Sequence, residues 1–290
     1  NEDDELARII DPRKTSGILR GRFTASISRG ADVLPLQTIQ ENFRIEPVKQ
    51  VVFLNFSSGF VDALERFGLR KVDHLVRARI IEHAEEIFRG IGVTFRTERP
   101  TDYELYSEVD LLGFDPNGFG LMGYDNTPGK DVGNLRLYDR IGGVHAITQQ
   151  DGYPGYGGIF VDSFFAFSEH PPVGIEAHPG SSPLFDEIFD PVRPGRGTTV
   201  QPGEAQSIRA LSDGSFCPAP PGDRVTQMSC AVYVLGNIIG GTMAHEVAHS
   251  LGLADPEGSL FHNNSNEANH LMDSGNDRPF HERAQLNGGG

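Results

Sequence analysis

His245-Glu246-Val247-Ala248-His249-Ser250-Leu251-Gly252-Leu253-Ala254-Asp255 is the stretch from which the fold reads outward. Residues four apart on a helix share a face, so His245 and His249 can reach one ion. Two neutral imidazoles with a third ligand and a water suit zinc. Glu246 is turned about 100° from His245. There its carboxylate can contact the ion's water without binding the ion. Ala244, Val247, Ala248 and Leu251 supply small or apolar surface for packing the helix. The five-residue pattern alone arises by chance in roughly 2% of chains of this composition, and adding Gly252 and Asp255 lowers that to roughly 2 in 10,000. Glycine at 252 lets the helix end in a left-handed turn. The chain then doubles back, so Asp255 can supply the third ligand; His262 is the alternative third ligand.

Upstream, Cys230 to Leu253 is the longest apolar, helix-compatible stretch. Val51-Val-Phe-Leu-Asn-Phe56 reads as a buried strand. Asp73 to Arg89 reads as an amphipathic helix, with Leu75, Val76, Ile80, Ala84, Ile87 and Phe88 at three- and four-residue steps. Gly90 and Gly92 stop it, and Val93-Thr-Phe-Arg-Thr97 follows as a strand. Strand, helix and strand begin an α/β layer. Gly158 to Phe167 reads as a further strand at or near a sheet edge, and Ser168 to Thr226 as loop. Asp110, Asp115, Asn117, Asp125 and Asp131 are oxygen donors of the kind a structural Ca2+ would use. Their spacing fits no calcium loop, and solvated carboxylates are the plainer reading. His170, Glu176 and His178 could make a second metal site, with surface histidines as the simpler alternative.

These motifs resemble those of the metzincin clan of zinc endopeptidases, in the aspartate variant known from snapalysin-type enzymes. His270-Leu-Met272-Asp-Ser-Gly275 is similar to the clan's methionine-bearing turn beneath the metal. The resemblance covers about residues 236–276. It implies an α/β (α+β) fold with a twisted mixed sheet, two long helices, an active-site cleft and a small irregular C-terminal subdomain. It also implies one catalytic Zn2+ on His245, His249 and Asp255 (or His262), with Glu246 as general base and Met272 in the turn. An extended substrate would pair with the strand at Gly158, Ile159 and Phe160. Ser274 stands where some members carry a tyrosine two residues after the methionine, so no such tyrosine is assigned.

The 290 residues include 40 acidic and 25 basic side chains, a net charge of −15 that repels phosphate backbones and argues against nucleic acid. No apolar run is long enough for a membrane helix. Residues 1–49 read as an arm or propeptide-like leader, in which Asp32 could restrain the metal. Residues 50–290 read as the catalytic unit, with an upper part at about 50–252 and a lower part at about 253–290. Cys217 and Cys230 are either one bridge or two buried thiols; beside a secreted-type protease motif the bridge is favoured. Asn1-Glu-Asp-Asp-Glu5 is not a signal peptide, so the targeting segment of a secreted protein is expected to lie outside this sequence. A protein or peptide is the expected partner, and a monomer is assumed. The alternatives are a zinc hydrolase of the same fold with a non-peptide or narrow substrate, and a binding or adhesion module with a structural metal.

Overall fold

The structure, a computed structural model, describes residues 17–45, 49–103, 105–129, 138–144, 153–253, 262, 270–275 and 278–286. The chain divides into two compact units, Asn1–Lys49 and Gln50–Gly290. In the first, β1 (Gly17–Phe23) pairs antiparallel with β4 (Ile39–Ile45), and β2 (Ser26–Arg29) with β3 (Asp32–Pro35). Gly30, at φ +62°, supplies the left-handed residue of the β2–β3 turn. Asp32 opens β3.

The second unit is a mixed α/β structure. Its sheet is built from β5 (Gln50–Phe56), β6 (Val93–Arg96), β7 (Ser107–Leu112), β8 (Gly123–Tyr124), β9 (Arg140–Ile141) and β10 (Gly158–Phe160). The order is β6-β5-β7-β10-β8, with β9 also paired to β7. Every pairing is parallel except that of β8 with β10. β5 has parallel neighbours on both sides, and its Val51, Val52 and Leu54 are buried; a strand covered on both faces reads as a continuous apolar run.

The strand expected over 158–167 is corrected: β10 ends at Phe160, and Val161–Phe167 winds into a 3-10 helix. β10 also lies one strand in from the edge, because β8 takes its outer side. The stretch expected as loop contains α3 (Pro183–Phe189), with proline in its first turn. α3 folds because Phe185 and Phe189 enter an aromatic cluster with Phe67 and Phe165, where Phe67 and Phe165 stack at 4.0 Å.

α1 (Ser58–Arg66) is capped by Ser57, whose hydroxyl accepts from the Phe60 N–H. α2 spans Asp73–Ile87, close to the expected bounds. α4 (Arg224–Ser250) begins six residues before the apolar run, under an Asp223 cap, and is roughly 40 Å long. It packs on α2 and against β8, β9 and β10. A Cβ at Gly236 would lie 2.4 Å from Arg79 Cγ, and one at Gly240 would lie 2.8 Å from the Ile80 carbonyl oxygen, so the two helices meet at glycine. Arg79 is held in that contact by its Nε bond to Asn237 Oδ1 (2.7 Å), and Asn237 in turn donates to the Ala284 carbonyl (2.9 Å). Cys217 and Cys230 are disulfide-bonded, tying the preceding loop to the first half of α4. No helix among the described residues is long and apolar enough to cross a membrane.

Candidate metal centre

α4 ends as the glycine predicts. Gly252 adopts φ +77°, its N–H donates to the His249 carbonyl, and the Leu253 N–H reaches back to Ala248. This end carries His245, Glu246 and His249 into a cavity of about 660 Å³, a size usual for a ligand site. The His245 Nδ1–H donates to the Leu271 carbonyl at 2.6 Å, which turns Nε2 towards His249. The two Nε2 atoms are 3.0 Å apart. Two ligands on one tetrahedral ion at 2.0–2.1 Å would be separated by roughly 3.3 Å, so the pair is set near the bite of a metal.

His262 joins them: the ligand atoms of His245, His249 and His262 all lie within 4.8 Å of one another. Its ring centroid is 5.3 Å from each of the other two. Asp255, the third ligand given by the spacing, lies outside the described residues, as does Asp131. Burial, reinforced by the neighbouring rings, lowers the pKa of His245 to about 3 and of His249 to about 4. Both imidazoles are therefore neutral at neutral pH and able to coordinate. Met272 lies in the turn whose Asp273 N–H bonds back to the His270 carbonyl, and that turn supplies the carbonyl orienting His245.

Glu246 is buried in the same cavity, with its carboxylate under the edge strand. A Cβ at Gly123 of β8 would lie 2.4 Å from Glu246 Oε1 and 2.8 Å from Thr242 Cγ2, so glycine leaves the Glu246 carboxylate in place where a larger residue would push it aside. The Asp125 N–H donates to that carboxylate. Burial pushes the Glu246 pKa up to about 8, against the pull of this hydrogen bond and of the Arg283 charge. Asp125 itself is raised well above the usual carboxylate range by burial and then by Asp139, to which Thr127 Oγ1 links it. Phe119, Leu121 and Met122 form an apolar wall, and Arg278 and Arg283 bring positive charge to the lining.

The remaining expected residues are placed elsewhere. Gly158, Ile159 and Phe160 are fully engaged between β7 and β8 and buried, so they offer no free edge; Gly123 and Tyr124 hold that position. Asp115 is occupied by the Asn117, Phe119 and Leu121 amides, and Asp110 by Asn55. These acids form no ligand group among the described residues. His178 lines the cavity and Glu176 is exposed, while His170 meets Asp186 and Asp190. That trio could hold a metal by distance. Arg193 Nη1, however, is 3.3 Å from Asp186 and 3.1 Å from Asp190, and already supplies the cation such a group needs.

Gly123, the Asp125 amide and Arg283 are parts of the site that sequence reasoning missed. Each reaches Glu246 only through the tertiary fold, and no spacing rule connects them. Compared with family models, with curated proteins and with solved structures, the chain matches none.

Proposed function

We propose that the chain is a secreted zinc-dependent endopeptidase. The observation that carries this reading is the convergence of three imidazoles, His245, His249 and His262, beside the buried Glu246 carboxylate in one cavity. Neutral imidazoles are donors that zinc favours, and three protein ligands leave a position open, unlike the closed four-ligand set of a structural site. When bound, zinc supplies Lewis acidity to the attacking water and to the substrate carbonyl.

The chain's own groups do the rest. His245 is held in its tautomer by the Leu271 carbonyl. Glu246 is oriented by the Asp125 N–H and roofed by Gly123. A cation bound beside it would favour its ionised form against the effect of burial, and as carboxylate it accepts the proton from the water and returns it to the leaving nitrogen. The outer side of β8 carries no strand among the described residues, so an extended peptide can pair there, directly above Glu246. Phe119, 81% exposed beside this edge, offers an apolar surface to a side chain. The Cys217–Cys230 bridge fits an oxidising compartment.

The test is cleavage of peptide libraries by zinc-loaded protein. Wild type should cleave, and a chelator should abolish it. Glu246→Ala should lose roughly 100-fold or more while retaining zinc. Zinc retained by both proteins with no Glu246-dependent cleavage would overturn the proposal.

A further inference from the structure

Arg283 lies in α5 (Phe280–Arg283), whose Phe280 is wedged between Phe167 and Phe185 at centroid distances of 5.5 and 5.3 Å. That anchoring carries the guanidinium to the cavity wall, where the residue is 8% exposed. Two backbone carbonyls fix its plane: Nη2 donates to Gly275 (2.7 Å) and Nε to Arg278 (3.2 Å). Nη1 donates to nothing among the described residues, and no carboxylate there lies within ion-pair distance. Its neighbour Arg278, by contrast, is neutralised by Glu282 at 3.0 Å. Glu282 and Glu246 act on Arg283 only through space. A buried guanidinium whose direct hydrogen bonds all go to neutral carbonyls binds strongly to an anion that completes its fork.

We propose that Arg283 recognises a carboxylate of the substrate, so that this cleft selects peptides with an acidic group next to the scissile bond. The inference takes the peptide nature of the substrate from the preceding reading, but not the role of the guanidinium. The carboxylate has two possible sources, an Asp or Glu side chain or the α-carboxylate of a peptide terminus, and both present the same planar pair of oxygens. Glu246 lines the same cavity and feels the Arg283 charge, which places the recognised group close to the reacting bond. With the whole chain at −15, this attraction is local and does not steer acidic peptides from a distance.

Matched peptides bound to zinc-loaded Glu246→Ala protein, read by fluorescence anisotropy, test this without turnover. One set exchanges Glu for Gln at successive positions, and the other compares a free with an amidated C-terminus. The acidic member of one set should bind about 10- to 100-fold more tightly, the effect of a hydrogen bond to a charged group. Which set discriminates identifies the source of the carboxylate. Adding Arg283→Gln should remove the discrimination, and Arg283→Lys should keep part of it. If Arg283→Gln does not fold, the wild-type-Arg283 comparison still decides. Equal binding within both sets, or no binding, overturns the inference whatever wild type cleaves. Selective binding without wild-type cleavage would uphold it and overturn the peptidase reading alone.

Discussion

A methyl group at position 123 would occupy space held by Glu246 Oε1, 2.4 Å away. Gly123→Ala should therefore displace the proposed base, lowering kcat by roughly 10- to 100-fold with little change in zinc content, as steady-state kinetics and metal analysis will show. The raised Glu246 pKa also has a consequence for the metal-free protein. A group held at about 8 in the fold, against 4.5 unfolded, contributes stability that is complete below pH 4.5 and is lost as pH rises through 8. Denaturant titrations of metal-free protein at pH 6 and pH 8.5 should show that loss in wild type, and Glu246→Gln should remove it. His245, Glu246 and His249 were legible in the sequence because helical periodicity brings residues four apart together. Gly123 and Arg283 were not, because each acts on Glu246 across the fold, and neither lies in a local pattern.

At the scale of elements, the contact of α2 with α4 sets the position of the helix end that carries His245 and His249. Alanine is normally favoured over glycine within a helix by about 1 kcal/mol. At Gly240 the added methyl would meet the Ile80 backbone oxygen, which cannot rotate away, so Gly240→Ala should destabilise by roughly 1–3 kcal/mol in denaturant titration. His83 packs beside Gly240 and Gly241, and burial, with the Arg79 and Arg278 charges, lowers its pKa to about 3. The unfolded chain binds that proton below pH 6.5 and the fold does not, so stability falls as pH drops from 6.5 towards 3. His83→Gln should recover on the order of 2 kcal/mol of the loss between pH 7 and 4.5. Both helices and β5 were readable from apolar spacing. β10 was misplaced at the edge because its outer neighbour, β8, is only two residues long and sits among glycine-rich turns. α3 was hidden because its phenylalanines are justified only by Phe67 and Phe165, more than a hundred residues and some twenty residues away in sequence.

For the molecule as a whole, the disulfide and the aromatic cluster bind the long connections to the frame that carries the site. The bridge closes a loop with a sequence separation of 13, so removing it with Cys217→Ala/Cys230→Ala should cost roughly 3 kcal/mol in the chain-entropy view, measurable by equilibrium unfolding. At the cavity rim Gly120, Gly123 and Pro128 shape the approach to Glu246. The proposed peptidase activity depends on one ion held by His245, His249 and His262 with a position left open. X-ray absorption at the zinc edge, with zinc stoichiometry on wild type, His262→Ala and Asp255→Ala, measures this most directly. The expected result is one zinc per chain with three nitrogen neighbours and one oxygen at about 2.0–2.1 Å, lost to chelator in His262→Ala and retained in Asp255→Ala. Four protein donors around the ion, a third nitrogen that survives His262→Ala, or no zinc retained by wild type would contradict it.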